Sequence, residues 1–142
     1  MNKVSDILSR KGNNVASVGP DTSVIDALRL MADKNIGSVV VASNDRFLGI
    51  LTERDYSRKV ILMGRHSSET PVSEIMSADF PAITKDDTVA HCMQLMSAKH
   101  IRYLPVMENN QLVGIISMND VVTETIINQQ ETISQLENYL QS

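Results

Sequence analysis

Two stretches of the chain end in the same arrangement of a hydroxyl and a carboxylate. Thr52 is followed by Asp55, and Ser117 is followed by Asp120 at the same spacing. Each hydroxyl stands where an apolar stretch, predicted to be a strand, stops and a helix starts. A helix start presents free amides and the positive end of the helix dipole, which suits a phosphate, and the hydroxyl can add a bond to it. The carboxylate, one helical turn further on, can accept two hydrogen bonds from a ribose diol.

The same spacing also has a structural explanation. A Thr or Ser followed three residues later by a carboxylate has the pattern of a capping box, here with Asp in place of the usual Glu, which closes the unpaired amides of a helix start. A single occurrence would favour this explanation. Two occurrences in one short chain make ligand binding an equal alternative, so the residues leave both interpretations open.

The two motifs belong to a longer internal repeat. Asn14–Asp55 returns without a gap, 65 residues later, as Asp79–Asp120. Within this repeat, Gly49–Asp55 returns as Gly114–Asp120. A gapless repeat of this length predicts two copies of one structural unit, related by pseudo-two-fold symmetry and carrying two equivalent clefts.

Each copy is predicted to run strand, helix, strand, strand, helix. In the first copy we expect strands at residues 14–18, Ser38–Ala42 and Phe47–Leu51, and a helix that follows Ser23. A short helix over Val4–Ser9 precedes this copy. The predicted fold class is α/β (α+β), with two pseudosymmetric β-α-β-β-α repeats that share one core and a long C-terminal helix.

The ends of the copies divide the chain into three segments. Residues 1–71 hold the first copy with its N-terminal helix and connector, residues 72–125 hold the second copy, and residues 126–142 extend the last helix. This helix is predicted to run from Met118 to Leu140, a stretch without Pro or Gly. Its apolar residues form a near-heptad stripe of Val122, Ile126, Ile133, Leu136 and Leu140. A helix that outlasts its domain usually packs against something, so the stripe predicts a homodimer contact, and the alternative is a frayed tail after Gln129.

The composition narrows the possible classes of function. The chain has 142 residues, 42% of them hydrophobic, which is enough for one good core and short for two. A net charge of -4 and a pI of about 5.3 argue against nucleic acid as a partner. No stretch approaches the ~20 apolar residues of a membrane helix, and residues 1–20 lack the apolar run of a signal peptide. We therefore expect a cytoplasmic protein with no membrane partner.

The sequence contains no convincing catalytic or metal-binding constellation. His66, His91 and His100 share no metal-ligand spacing with one another or with Cys92. Cys92 falls on the apolar stripe of its helix, and we interpret it as a small buried residue rather than a reactive thiol. The residues therefore predict neither a metal site nor an enzyme.

The repeat resembles the CBS domain, named for cystathionine β-synthase, and the tandem resembles a CBS pair, or Bateman module, from about Val4 to Thr125. The resemblance rests on the two Gly-x-x-Thr/Ser-x-x-Asp motifs, the Thr/Ser-Val helix starts and the Ile-Arg-Tyr-Leu-Pro-Val strand at Ile101–Val106. Gly49–Arg65 and the long last helix are similar to stand-alone CBS-pair proteins of bacteria and plant organelles. The resemblance implies a regulatory, non-catalytic module that binds an adenosine nucleotide such as AMP, ADP, ATP or NAD, requires no cofactor, and regulates a protein partner that the sequence does not identify.

The family's site residues carry over onto both motifs. The resemblance implies that Asp55 and Asp120 bind ribose, and that Thr52 and Ser117 lie near phosphate. Arg102 matches a basic phosphate contact of some members, whereas its counterpart in the first copy is the uncharged Gly37. Sites of the family mix the two repeats. The base side of the Ser117/Asp120 site is accordingly expected from Ala16, Val18, Ile36 and Gly37, and that of the Thr52/Asp55 site from Pro81, Ile83 and Ile101.

The two clefts are therefore expected to differ, with Ser117/Asp120 the better site for an AMP-like ligand. A second interpretation keeps both motifs as helix caps only. In that case the protein is a ligand-independent dimeric scaffold that acts through its C-terminal helix.

Overall fold

The computed structural model describes residues 2–12 and 14–141 of the chain. The helices are α1 (Val4–Lys11), α2 (Val24–Lys34), α3 (Glu53–Tyr56), α4 (Val89–Lys99) and α5 (Met118–Gln141). The strands are β1 (Ser17–Val18), β2 (Ser38–Ser43), β3 (Arg46–Thr52), β4 (Tyr103–Glu108) and β5 (Gln111–Ser117). A π-helical turn, Ser57–Ile61, continues α3, and a 3₁₀ turn spans Val72–Glu74. The predicted α+β architecture and the long last helix are confirmed.

The chain forms two compact units that do not follow the sequence order. The first, called the Asp120 unit, combines α1 with residues 81–109 and the chain from residue 113 onward. The second, called the Asp55 unit, consists of residues 14–80 and 110–112. Helix α1 thus precedes the first copy in the sequence but belongs to the unit of the second. The segment boundaries at residues 71 and 125 follow the repeat rather than these units, and they stay a prediction.

The Asp55 unit is built on a three-stranded sheet. Strand β1 runs parallel to β2, and β2 runs antiparallel to β3, with Ser38 opposite Thr52 and a bulge between Val41 and Ala42. Helix α2 begins at Ser23, whose hydroxyl accepts a hydrogen bond from the Asp26 amide as an N-cap. The buried apolar residues of this unit form one cluster of Val24, Ala27, Met31, Val39, Val41, Leu51, Val60, Val72 and Ile75. The sheet and α2 thereby hold β3, and the motif at its end, in place.

The Asp120 unit has its own cluster of buried residues. The cluster consists of Val4, Ile7, Leu8, Ile83, Val89, Cys92, Met96, Leu104, Val106, Ile116 and Val121. Helix α1 contributes its whole apolar face, and its first amides bond to the carbonyl oxygens of Lys85 and Asp87. The expected single core shared by both copies stays a prediction, because each cluster lies within one unit.

The first strand of the second copy is shorter than its counterpart. Strand β1 bonds to β2 through the Val40 amide, which donates to the Ala16 carbonyl over 2.9 Å. Pro105 occupies the position equivalent to Val40 and has no N–H to donate. The strand expected at this place is therefore reduced to a single parallel bridge between Ile83 and Val106.

The glycine that begins each motif is in close contact with a neighbouring segment of its own unit. A Cβ atom on Gly49 would stand 2.6 Å from the Ser77 carbonyl oxygen and 3.0 Å from the Met76 sulfur. A Cβ atom on Gly114 would stand 2.8 Å from a methyl group of Leu8. Both positions therefore need a residue without a side chain, which explains why the repeat preserves a glycine there.

Candidate functional site

The first motif forms a closed capping box at the start of α3. The Asp55 amide donates to Thr52 Oγ1 over 3.0 Å, and the Thr52 amide donates to Asp55 Oδ2 over 3.0 Å. The Thr52 hydroxyl also donates its proton to Asp55 Oδ2, again over 3.0 Å. The capping interpretation is thus confirmed for this motif, and the hydroxyl proton is already used.

The second oxygen of Asp55 is occupied as well. Asp55 Oδ1 accepts a hydrogen bond from Ser77 Oγ at 3.2 Å and forms an ion pair with Lys59 Nζ at 3.1 Å. The ammonium of Lys59 also donates to the Ile75 carbonyl over 3.0 Å. Asp55 therefore links α3 and the following turn to the segment after the 3₁₀ turn, with only 11% of its side chain exposed.

The second motif repeats the capping box at the start of α5 but leaves more of it open. The Asp120 amide donates to Ser117 Oγ over 3.1 Å, and the Ser117 amide donates to Asp120 Oδ2 over 2.8 Å. Lys11 Nζ pairs with the same Oδ2 at 2.7 Å and also donates to the Ile115 carbonyl over 2.9 Å. Asp120 Oδ1 and the Ser117 hydroxyl proton have no hydrogen-bond partner among the residues that the structure describes.

Arg102 lies beside this second motif. The Met118 amide, the first of α5, donates to the Arg102 carbonyl over 2.8 Å. The Arg102 side chain is exposed, and within residues 2–12 and 14–141 it has no hydrogen-bond or ion-pair partner. The equivalent bond of the first copy runs from the Glu53 amide to the Gly37 carbonyl over 3.2 Å. The backbone of Arg102 is therefore fixed at the start of α5, next to the hydroxyl and the carboxylate, whereas the equivalent residue at the start of α3 is the uncharged Gly37.

The remaining predicted site residues divide between the two units. Ala16 and Val18 pack on the core of the Asp55 unit. Ile36 and Gly37 also belong to this unit. In the Asp120 unit, Ile83 is buried and Ile101 packs on the core, and Pro81 is half-buried. The mixing of the two repeats within each site stays a prediction.

Three side chains at the motifs were missed as site residues from the sequence. The position of Lys59, four residues after Asp55, allows a helical ion pair, and this spacing is the signal that could have indicated it. Ser77 and Lys11 reach their carboxylates from 22 and 109 residues away. No local spacing indicates contacts of that separation.

Neither a metal cluster nor a membrane helix is found in the described part of the chain. No group of three or more His, Cys, Asp or Glu side chains within it is placed to hold a metal ion. Among the described helices, none is both long and apolar enough to cross a membrane. Burial, with a smaller contribution from the nearby Asp87 carboxylate, raises the pKa of the Cys92 thiol to about 11, in line with an unreactive buried cysteine.

Comparisons with known proteins define the class. The CBS domain family matches residues 4–61 and again residues 72–126. The chain is 33% identical to the mitochondrial CBS domain-containing protein CBSX3 of Arabidopsis thaliana, covering 97% of this chain and 71% of that protein. It is 32% identical to the CBS domain-containing protein YhcV of Bacillus subtilis, covering 91% of this chain and 89% of that protein.

A solved structure agrees in sequence and in shape. A protein with CBS domains from Burkholderia ambifaria superposes with a TM-score of 0.86 at 40% identity, covering 90% of this chain and 96% of that one. The chain therefore belongs to the CBS domain family, as a tandem CBS pair. CBS pairs are regulatory modules that typically bind adenosine-containing ligands.

Proposed function

We propose that this protein is a nucleotide-sensing module that binds an adenosine nucleotide at the start of α5. In this proposal the free Oδ1 of Asp120 accepts bonds from the ribose diol. The Ser117 hydroxyl and the Arg102 guanidinium bind phosphate at the end of a 24-residue helix, where the dipole favours an anion. The observation that carries the proposal is made on the described residues: among them, a carboxylate oxygen is open and a hydroxyl proton is unused at one helix start, and the exposed Arg102 is held beside that start through its backbone.

The same helix offers a route from ligand to partner. Helix α5 begins at the proposed site and continues to Gln141, and it carries the exposed apolar stripe from Val122 to Leu140. A nucleotide can shift the packing of this helix only by its differential affinity for two states of the protein. We therefore propose that the stripe reports ligand binding to a regulated protein partner.

Thermal unfolding tests the proposal. The purified protein is unfolded in the presence of AMP, ADP, ATP, NAD and S-adenosylmethionine, each in separate series. A ligand at 100 times its dissociation constant stabilises the fold by about 2.7 kcal/mol, which corresponds to a shift of about 5 °C or more. Asp120→Asn should abolish the shift. The matched control is Asp33→Asn, which changes an exposed carboxylate of α2 in the same way and should keep it.

An unfolding temperature that none of the five ligands changes would refute nucleotide sensing. A shift that survives Asp120→Asn would place the ligand elsewhere and refute the proposed site.

A ligand-independent scaffold is the second candidate, favoured by one observation. Ile126, Ile133, Leu136 and Leu140 are between 49% and 82% exposed along one stripe of α5. We propose that a second copy of the chain covers this stripe in a homodimer. Sedimentation equilibrium tests this: Leu136→Glu should weaken the dimer, and Gln135→Glu, which adds the same charge beside the stripe, should not. A wild-type monomer at micromolar concentration would refute the homodimer.

A further inference from the structure

We infer that Lys59 and Ser77 close the first motif, so that the chain binds one nucleotide and not two. The inference rests on the proposed function, because it concerns which of the two equivalent motifs accepts the nucleotide. The repeat by itself predicts two sites. The contacts of the two carboxylates differ, and this difference leaves one of the two motifs open to a nucleotide.

The carboxylate of Asp55 has no capacity left for a ribose. Two carboxylate oxygens offer about four lone-pair sites. Those of Asp55 already meet four donors, namely the Thr52 amide, the Thr52 hydroxyl, the Ser77 hydroxyl and the Lys59 ammonium. A ribose diol would have to displace at least one of these donors from a side chain that is 11% exposed.

The two blocking residues are themselves held in place. The Ser77 amide donates to the Ile50 carbonyl over 3.0 Å, and the Ile50 amide donates to the Ser77 carbonyl over 2.8 Å. Lys59 is anchored a second time at the Ile75 carbonyl. Rotation of the Lys59 side chain away from Asp55 would break its bond to Ile75, and the backbone of Ser77 is fixed opposite Ile50, so the closure is part of the packed structure.

The second copy lacks both blocking groups. The residue equivalent to Lys59 is Glu124, which is 2% exposed and pairs with Arg10 at 3.0 Å. Ser9 is the residue of the N-terminal segment that is equivalent to Ser77. Its hydroxyl, however, donates to the Ser5 carbonyl over 2.9 Å, inside α1. Among the side chains that the structure describes, Lys11 alone donates to the Asp120 carboxylate, and it takes one oxygen, Oδ2.

The hydroxyls differ in the same direction. Thr52 donates its proton to Asp55, so a phosphate oxygen would have to compete for it. The Ser117 hydroxyl accepts from the Asp120 amide, and no acceptor for its proton is present in the described part of the chain. The residue that accepts from the first helix amide differs as well, since it is Arg102 in the second copy and the uncharged Gly37 in the first. The structure therefore assigns nucleotide binding to the Ser117/Asp120 motif alone.

Isothermal titration calorimetry of the full chain with AMP, ADP and ATP tests the inference. We expect one equivalent per chain in the wild type, and none in Asp120→Asn. The double variant Lys59→Met/Ser77→Ala should gain a second equivalent. Adding Asp55→Asn to that double variant should remove the second equivalent and leave the first.

The control for removal of a lysine is Lys34→Met, which takes an exposed ammonium from the end of α2 and should leave the stoichiometry at one. Circular dichroism verifies that each variant is folded. If the double variant unfolds, Lys59→Met alone replaces it, with a second equivalent again expected.

The outcomes separate the inference from the proposed function. Two equivalents in the wild type, or one equivalent that is lost in the Asp55→Asn single variant but kept in Asp120→Asn, would overturn the inference while nucleotide binding stands. A folded variant without Lys59 and Ser77 that still binds one equivalent would overturn the role of these two residues. No binding of any of the three nucleotides, in the wild type and the opened variants alike, would overturn the proposed function and the inference with it.

Discussion

The two motif glycines allow the same substitution to be made twice in different surroundings. Gly49→Ala directs a methyl group at the Ser77 carbonyl oxygen, 2.6 Å from the new Cβ. Gly114→Ala directs it at the end of the Leu8 side chain, 2.8 Å away. Real Cβ contacts are essentially never under 3.0 Å, so in both variants something must move. What has to move is backbone in one case and a rotatable side chain in the other.

The expected losses of stability follow from this difference. The Ser77 carbonyl is fixed by its bridge to Ile50, so Gly49→Ala forces a backbone shift of the kind that costs about 1–3 kcal/mol when a packed core is overfilled. Displacing Leu8 from its rotamer costs about 0.5–1.5 kcal/mol. Alanine also recovers about 0.5–1 kcal/mol relative to glycine in either strand, because the unfolded chain has less freedom to lose. We therefore expect Gly49→Ala to lower the free energy of unfolding by about 1–1.5 kcal/mol, and Gly114→Ala by about 0.3 kcal/mol.

Equilibrium unfolding in urea measures both values. The slope of the free energy against urea should stay unchanged, so that the midpoint alone reports stability. Each variant serves as the control for the other, because the chemical change and the strand position are the same. If Gly114→Ala were as destabilising as Gly49→Ala, or more so, the argument that backbone contact sets the difference would be wrong.

Three further predictions concern the cysteine, a helix cap and the ion pair of a buried carboxylate. Because the pKa of Cys92 is about 11 rather than 9.0, about 0.1% of this thiol is ionised at pH 8, against about 9% of an ordinary thiol. Iodoacetamide should therefore alkylate Cys92 in the folded protein about 100-fold more slowly than in the urea-unfolded protein. Equal rates of alkylation would contradict this. Thr88→Ala should cost about 1 kcal/mol in urea unfolding, because Thr88 Oγ1 caps α4 by accepting from the His91 amide over 3.1 Å, and Thr88→Ser should retain most of it. Arg10→Met should lower the free energy of unfolding by about 2–3 kcal/mol, since it leaves the buried Glu124 carboxylate without its ion pair. Adding Glu124→Gln should restore part of that stability. An unchanged urea midpoint in the single variant would refute this prediction.

Much of the fold follows from local sequence because its signals are repeated. Ser23 and Thr88 occupy equivalent cap positions, and both hydroxyls accept the amide three residues on. Asn35 and His100 both end their helices in the left-handed conformation, at the same place in each copy. Signals of this kind act within one helical turn, so the sequence alone is enough to place helices and strands.

Elements whose form depends on a distant partner were harder to predict. The strand expected near Ile83 is only a bridge, because the partner residue Pro105 lacks the amide that Val40 supplies in the first copy. The assignment of α1 to the unit of the second copy also has no local signal. It depends on how the apolar face of Val4, Ile7 and Leu8 is buried, and many buried faces look alike in sequence.

The two motifs, and the family to which they belong, follow from the amino-acid sequence without the structure. A hydroxyl three residues before an aspartate caps a helix wherever the chain starts one, because the reciprocal bonds span a single turn. Which of the two carboxylates stays open depends instead on contacts between residues far apart in the chain. Ser77 reaches Asp55 across 22 residues, and Lys11 reaches Asp120 across 109. Contacts over such separations arise from the packing of whole segments, and the spacing of residues within a motif does not specify that packing.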